Sequence, residues 1–212
     1  MNFEQLNNKD EVHLYAGDMS EYLLNNNTGK QFVGLSLQND DKNHIKFDIT
    51  KKFPIKNNTV DTFCAEDVME HIYYENQLEI FNEIYRILKP EGVFRLSVPD
   101  YRCDFIYERT IKYRNGKLKF DPGGGGKYSR LRRKVINRGH VWFPKYESVK
   151  KIFDLSLFKK NKINYLHYYL SEDEFVMKDI NYDICFISRT PDNDSRVAEP
   201  RRPMSIVVDA VK

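Results

Sequence analysis

Two stretches decide the fold: HIKFDITKKFPIKNNTVDTFCAEDVMEHI, residues 44–72, and EIYRILKPEGVFRLSVPD, residues 83–100. Their apolar runs at 60–65 and 93–98 are short and bounded by polar residues, as buried strands are. Between these runs, apolar residues recur at helical spacing until a proline and a glycine give a helix stop signal. A strand, a helix and a second strand in this order predict a βαβ unit with parallel strands.

The rest of the chain extends this pattern. The further elements predicted before the C-terminal region are a helix at 145–158 and strands at 12–15, 32–37 and 45–47. Near the C-terminus, two apolar runs, Ile184–Ser188 and Ser205–Val211, are separated by a long polar connection. They predict an antiparallel hairpin at the sheet edge. Ligands of mostly parallel sheets bind at the carboxyl ends of the strands, so we expect the functional site there.

Length and composition are those of a single globular domain. The chain has 212 residues, of which 41% are hydrophobic and 31% charged, and we interpret residues 1–212 as one domain. No apolar run approaches the ~20 residues that span a bilayer, and the polar N-terminus does not resemble a secretory signal. The three distant cysteines, Cys64, Cys103 and Cys185, favour reduced thiols over a disulfide framework. The sequence therefore predicts a cytoplasmic protein without a membrane segment.

Positive charge is concentrated in one segment. From Arg109 to His140 there are eleven Lys or Arg and one acid, a local charge of +10 in a chain of net charge +3. Residues 113–143 also contain four consecutive glycines, Gly123–Gly126, which form no regular element without cost, so we interpret the segment as an inserted loop. Two interpretations remain open: a substrate lid hinged at the glycines, and a solvated basic loop without a ligand.

The two deciding stretches carry a series of short motifs. In chain order they are Asp48, Phe53-Pro54, Val60-Asp61, Val68–Ile72, Arg86–Gly92 and Val98–Asp100. Together they resemble the class I S-adenosylmethionine-dependent methyltransferases, in particular small predicted bacterial enzymes that modify sugars, polysaccharides or small metabolites. The resemblance covers residues 12–100, and a weaker resemblance extends over the C-terminal half.

The resemblance implies an α/β Rossmann-like fold. Its seven-stranded, mostly parallel sheet would have the order 3-2-1-4-5-7-6, with helices on both faces and the Gly-rich insert after strand 5. It also implies S-adenosyl-L-methionine as the cofactor. The implied cofactor-binding residues are Tyr15, Ala16, Gly17, Ser36, Leu37, Asp48, Ile49, Ala65 and Glu66. Two of them have alternatives: Asp48 contacts adenine or caps a turn, and Glu66 faces the sulfonium or caps a helix.

Two positions depart from the family's pattern. Where the family has Leu-x-Leu-Gly-x-Gly, this chain has Leu14–Gly17, with Tyr15 in place of the first glycine. The backbone approaches the cofactor closely at this turn, so a tyrosine there either fills part of the pocket or packs beside the sheet. Ser36 stands at the end of strand 2, where an acid usually accepts hydrogen bonds from the ribose. Without that acid, binding would be weaker by about tenfold or more.

Methyl transfer to an alcohol needs a group that takes up the acceptor's proton. The best candidate for this catalytic base is His140, at the end of the insert, although a loop histidine is more often simply solvated. Asp100 and Tyr101 are weaker candidates. The candidate acceptor-binding residues are His71, Tyr101, Arg130, Arg133 and Arg138, the arginines because they bind phosphate and carboxylate groups bidentately. No His and carboxylate residues have metal-site spacing, so no metal is predicted.

The sequence thus predicts an enzyme that methylates the oxygen or nitrogen of a small polar, sugar-like or anionic acceptor, as a monomer or a homodimer. Two alternatives are kept. A catalytically inactive relative, acting as a partner or regulatory protein, would explain Tyr15 and Ser36. A nucleic-acid-binding module that acts through the basic insert is the less favoured alternative.

Overall fold

The computed structural model of the protein describes residues 2–25 and 29–212. Its strands in that part are β1 (His13–Ala16), β2 (Phe32–Ser36), β3 (His44–Lys46), β4 (Val60–Glu66), β5 (Leu88–Pro99), β6 (Ile111–Lys112), β7 (Leu118–Phe120), β8 (Lys127–Ser129), β9 (Lys134–Ile136), β10 (Ile163–Tyr169), β11 (Phe175–Met177) and β12 (Ser205–Val211). The α-helices are α1 (Phe3–Leu6), α2 (Glu21–Leu24), α3 (Gln77–Ile87), α4 (Asp104–Arg109) and α5 (Tyr146–Leu155).

One eight-stranded sheet organises the chain, in the order β11-β10-β12-β5-β4-β1-β2-β3. The strands β1 to β5 pair in parallel, whereas β12 is antiparallel to both β5 and β10. Counted along the chain, β10 and β12 take the places of strands 6 and 7, so the predicted α/β fold and its strand order are confirmed. The difference is β11, an eighth strand that pairs with β10 at the edge.

The first face of the sheet is covered by α3 and α5. Helix α3 turns Ile80, Phe81, Ile84 and Ile87 towards the sheet, and α5 adds its own apolar stripe to the same core. Helix α3 ends where Leu88 becomes extended, because the proline that follows at position 90 cannot continue a helix. No helix in the described ranges is long and apolar enough to cross a membrane.

The second face is covered by the short helix α2 and by an irregular segment around residues 180–187. Arg95 of β5 anchors this segment. Its guanidinium is fully buried, donates two hydrogen bonds to the Asp209 carboxylate at 2.7 and 2.6 Å, and donates two more to the carbonyls of Asn181 and Cys185. The segment therefore satisfies its backbone through a side chain rather than through a strand ladder.

The prediction of a C-terminal hairpin at the sheet edge was wrong. Residues 184–188 form no strand, because their polar groups bond to side chains of β4 and β5. Strand β12 lies inside the sheet, between β5 and β10. Its true antiparallel partner from the C-terminal half is β10, which the sequence interpretation missed.

The inserted segment after β5 forms two small hairpins, β6-β7 and β8-β9. Gly123 and Gly124 lie in close packing. A Cβ built on Gly123 would lie 2.5 Å from Cζ of Arg109, and one built on Gly124 would lie 2.5 Å from Cγ of His140. The glycine run therefore leaves room for two neighbouring side chains. Its motion as a lid stays a prediction.

Candidate functional site

A cavity of about 470 Å³ opens at the carboxyl ends of β1, β2 and β3. Ligands of parallel sheets bind at this end of the strands. β1 has β2 on one side and β4 on the other, so the cavity lies beside the point where the strand order reverses. The lining residues are Gly17, Asp18, Leu35, Leu37, Gln38, Phe47, Asp48, Ile49, Thr50, Asp67, Val68, His71, Ile72, Tyr73, Asn76 and Arg138.

Gly17 forms the turn at the end of β1 and lies at the cavity wall. Its φ of +92° is a conformation that residues with side chains rarely adopt, and a Cβ there would lie 3.3 Å from Cγ2 of Val68. Its backbone N–H donates to the Leu35 carbonyl at 2.9 Å, which fixes the turn against β2. The backbone is thus open to close approach by a ligand at this point.

Tyr15 does not line this cavity. Its side chain packs on the second face of the sheet with Met19, Cys64 and Cys185, and its hydroxyl lies 3.5 Å from the Glu66 carboxylate. Side chains alternate along a strand, so a tyrosine flanked by core-facing Leu14 and Ala16 must point to the opposite face. Of the two interpretations of this departure, the structure shows the one in which the ring packs beside the sheet.

Ser36 is also used within the fold. Its hydroxyl accepts hydrogen bonds from the N–H groups of Gln38 and Asn39 at 3.0 and 2.9 Å, so it shapes the turn after β2. No acid stands at the end of β2, but another acid, Asp18, lies close by. The exposed carboxylate of Asp18 lines the cavity and accepts a hydrogen bond from the Asn39 amide at 2.9 Å.

Asp48 lies at the opposite side of the cavity with Leu37 and Ile49. One of its carboxylate oxygens accepts hydrogen bonds from the backbone and the hydroxyl of Thr50, so it also caps the turn after β3. Capping the turn and contacting adenine are compatible roles, because both hydrogen bonds from Thr50 go to Oδ1 while the residue still lines the cavity. The remaining implied cofactor residues of β1 and β4, Ala16 and Ala65, are fully buried in the core beneath.

Glu66 and Asp67, at the end of β4, differ in position. The Glu66 carboxylate is buried and accepts hydrogen bonds from the Ser188 N–H, the Ser188 hydroxyl and the Arg189 N–H. It therefore holds residues 188 and 189 in place and does not line the cavity. Asp67 does line it and pairs with Arg189 at 2.8 Å. Burial, opposed by Arg189, raises the pKa of Asp67 to about 7.

Beyond Asp67, the structure brings together Glu70, His71 and His140. One ligand atom from each lies within 4.8 Å of the others, and Glu70 Oε1 is 3.4 Å from Nε2 of His140. The backbone carbonyl of Glu70 accepts a hydrogen bond from Val141 N–H, which fixes the end of the insert here. Sequence spacing did not reveal this group, because His140 is far from Glu70 along the chain.

His140, the predicted base, is 2% exposed and part of a hydrogen-bonded chain. Its Nδ1 bonds to the Tyr101 hydroxyl, which donates to Asp121 at 2.8 Å, and Asp121 accepts two hydrogen bonds from Arg109. Burial alone would raise the pKa of Asp121, but these donors lower it. Burial and the nearby His71 lower the pKa of His140 to about 3, so its imidazole is neutral.

The other predicted acceptor residues are dispersed. His71 and Arg138 lie at the cavity wall, and the Arg138 carbonyl accepts a hydrogen bond from Nδ1 of His71 at 2.8 Å. Arg133 lines a second cavity of about 220 Å³, which also borders Tyr73 and His140. Tyr101 is fully buried, and Arg130 lines neither cavity, because the tip of the insert extends into solvent.

A family model matches the N-terminal part of the chain. Residues 2–96 match the family described as a methyltransferase domain. No curated protein matches the chain.

Solved structures share the fold over nearly the whole chain. An S-adenosylmethionine-dependent methyltransferase from Archaeoglobus fulgidus is 15% identical with a TM-score of 0.54, covering 99% of this chain and 90% of that one. An enzyme of the same description from Methanosarcina mazei is 11% identical with a TM-score of 0.54, covering 99% and 95%. One from Mesorhizobium loti is 14% identical with a TM-score of 0.52, covering 95% and 90%. These matches show that the chain has the fold of S-adenosylmethionine-dependent methyltransferases.

Proposed function

We propose that this protein binds S-adenosylmethionine in the cavity at the ends of β1 to β3 and transfers its methyl group to a small polar or anionic acceptor. The observation that carries the proposal is the open wall at Gly17, with the Tyr15 ring packed on the other face of the sheet. The methyltransferase match of residues 2–96 supports it.

The cavity offers the groups that such a cofactor needs. Asp48 would accept a hydrogen bond from the adenine amino group, and Leu37 and Ile49 would contact the adenine faces. The exposed Asp18 carboxylate would accept hydrogen bonds from the ribose hydroxyls, in place of the missing acid of β2. Asp67, near the end of β4, would lie close to the positive sulfonium, whose charge a carboxylate stabilises.

Transfer itself needs alignment more than activation, because the sulfonium methyl is already reactive. The acceptor's oxygen or nitrogen attacks the methyl carbon, the carbon–sulfur bond breaks, and its electron pair stays on sulfur. The acceptor's proton leaves to a neighbouring base or to water. Burial lowers the pKa of His71, so its imidazole at the cavity wall is neutral at pH 7 and free to take up this proton.

The acceptor end of the site favours an anionic molecule. Arg138 lies beside His71 in the main cavity, and Lys119, Arg133 and Lys134 line the second cavity. Tyr73 borders both cavities. A phosphorylated or carboxylated sugar would place its charged group among these cations and its reacting group near His71. A cytoplasmic location, a homodimer and one domain over residues 1–212 remain predictions.

Calorimetry with S-adenosylmethionine and its demethylated product tests the proposal. We expect saturable binding, and a ligand at 100 times its Kd should raise the free energy of unfolding by about 2.7 kcal/mol. Gly17→Val should abolish binding, because the side chain cannot adopt the φ of this turn and would meet Val68. Tyr15→Phe is the matched control and should bind as the wild type does, since Tyr15 lies outside the cavity.

The absence of binding at millimolar ligand, in protein shown to be folded, would overturn the proposal. That result would favour the alternative of a partner protein that kept the fold without the activity. Loss of binding in Tyr15→Phe with retention in Gly17→Val would show that the ligand site has been placed on the wrong face of the sheet.

A further inference from the structure

We propose that Glu70, His71 and His140 bind a divalent transition-metal ion, with Zn²⁺ as the first choice, in the wall between the two cavities. His71 lines the main cavity and His140 lines the second one. The site is separate from the proposed cofactor contacts at Gly17, Asp18 and Asp48.

The donor set and its geometry fit such an ion. Two imidazoles and one carboxylate are a common zinc set, with ligand distances of about 2.0–2.2 Å, which places neighbouring ligand atoms roughly 3.3 Å apart in a tetrahedron. Glu70 Oε1 lies 3.4 Å from His140 Nε2 and 4.0 Å from His71 Nε2. Small rotations of the His71 side chain, which is 31% exposed, would bring all three atoms around one ion.

Glu70 gives an independent reason to expect a ligand. Its side chain is 0% exposed, and neither of its carboxylate oxygens has a hydrogen-bond partner among the described residues. A buried carboxylate without partners costs far more free energy than it returns, so native proteins rarely keep one unless it binds something. Here the unpartnered Oε1 faces two histidine nitrogens.

The outer ring nitrogens fix both histidines as ligands. Nδ1 of His71 donates to the Arg138 carbonyl at 2.8 Å. The Tyr101 hydroxyl donates to Asp121, which also accepts from Arg109, so this hydroxyl accepts from Nδ1 of His140. Both Nε2 atoms therefore carry lone pairs that point into the group, which is the support that metal-binding histidines have.

The surrounding charges also favour a dication. Four carboxylates lie in this region, those of Glu66, Asp67, Glu70 and Asp121, whereas the guanidiniums that act on them are those of Arg109, Arg189 and Arg196. The formal balance is one negative charge.

An ion with three protein ligands leaves a position open. If the proposed methyl transfer is correct, that position faces the acceptor end of the cavity, where it would bind and orient an acceptor oxygen and favour its deprotonation. With the ion bound, both ring nitrogens of His71 are occupied, so the acceptor's proton would pass to water instead of to this histidine. This consequence rests on the proposed function, whereas metal binding itself does not.

Titration of the chelator-treated full-length protein with Zn²⁺ and with Co²⁺, without cofactor, tests the site. We expect one equivalent by calorimetry and the visible absorption bands of Co²⁺ bound to protein ligands. Glu70→Gln should weaken Zn²⁺ binding by about 100-fold or more, because loss of a residue behind a ligand already costs ~10–100-fold. His71→Asn, at the cavity wall, is a second variant should Glu70→Gln fail to fold.

Glu66→Gln is the matched control, since it changes a buried glutamate of the same region whose oxygens are already occupied. It should bind metal as the wild type does. The proposal is overturned if folded wild type binds no equivalent, or if both ligand variants bind like the wild type. Calorimetry with the demethylated cofactor on the same samples separates the two proposals: cofactor binding without metal binding overturns only the metal site, and the reverse overturns only the cofactor site.

Discussion

Two buried glutamates near the end of β4, Glu66 and Glu70, have opposite surroundings. Glu66 accepts three hydrogen bonds from Ser188 and Arg189, and the Tyr15 hydroxyl lies near its other oxygen. Glu70 accepts none among the described residues. Burial raises the pKa of both carboxyls. Hydrogen bonds from Ser188 and Arg189 oppose this effect at Glu66, whereas at Glu70 it is opposed by that residue's own backbone and by Arg189.

The difference separates a structural carboxylate from one kept for a ligand. The Glu66 carboxylate is engaged, because it accepts hydrogen bonds from Ser188 and Arg189 and so holds these residues on the sheet. The Glu70 carboxylate has no such donors among the described residues. Because unfulfilled buried polar groups are costly, the free energy lost at Glu70 must be offset by the rest of the fold.

The largest effect should follow from substituting Arg95, which holds the irregular segment around residues 180–187 on the sheet. Arg95→Met removes a fully buried guanidinium and leaves Asp209 and two carbonyls without their donor. We expect a loss of about 3–5 kcal/mol in the free energy of unfolding, measured by denaturant titration. The double variant Arg95→Met with Asp209→Leu should lose less, and an equal loss in both would contradict the role of the ion pair.

Asp100 accepts two hydrogen bonds, fewer than Glu66 and more than Glu70, and its raised pKa predicts an effect of pH on stability. It is fully buried and accepts hydrogen bonds from Tyr169 N–H and Arg102 N–H. Burial nevertheless raises its pKa to about 6. The folded protein therefore keeps this proton at a pH where the unfolded chain, with a pKa of about 3.9, has lost it. Stability from this group is present below pH 4 and is lost as the pH rises through 6.

The Asp100→Asn variant has no such titration and is the reference. The difference in unfolding free energy between wild type and variant should fall by about 3 kcal/mol from pH 3.5 to pH 7. Denaturant titrations across this range measure it. Parallel curves for the two proteins would show that Asp100 titrates normally in the folded state.

A matched pair of substitutions compares the glutamates directly. Glu66→Leu leaves the N–H groups of Ser188 and Arg189 unpaired and should cost about 1–3 kcal/mol. Glu70→Leu removes a buried charge without losing a hydrogen bond, so metal-free protein should be equally stable or more stable. Thermal unfolding in the presence of a chelator measures both losses. Equal losses in the two variants would contradict the difference between Glu66 and Glu70.

The smallest expected effect is at the cofactor end. Asp18→Ala should weaken binding of the demethylated cofactor about tenfold by calorimetry, because one charged acceptor for the ribose is lost. Asp40→Ala is the control, since this exposed acid lies outside the lining of the cavity. An unchanged affinity in Asp18→Ala would mean that another group, such as Gln38, meets the ribose.

Local sequence patterns predicted the parallel half of the molecule well. Apolar runs and the stop signal at Pro90 predicted β4, α3 and β5, and the motif at Asp48 lies at the cavity. The position of Tyr15 followed from strand alternation, which the motif comparison did not use. In contrast, the group of Glu70 and His140 depends on long-range contacts between residues 138–142 and 69–71, such as Val141 N–H to the Glu70 carbonyl, and no local pattern encodes them.

The C-terminal half was harder to predict because side chains replace regular pairing there. Residues 184–188 read as a strand, but their backbone is held by Arg95 and Glu66. Strand β10 is rich in tyrosine, a residue common in strands, so its signal was present. The eighth strand is only three residues long, which is too short for a periodic pattern.

The packing of Gly124 against the His140 ring limits which parts of the insert can accept substitutions. The base of the insert is fixed by that contact and by Val141, whereas Leu131, near its tip, is 95% exposed. Substitutions and length changes at the tip leave the histidine where it is. Under the proposed function, exchanging the tip would change the acceptor while His140 and its neighbours stay in place.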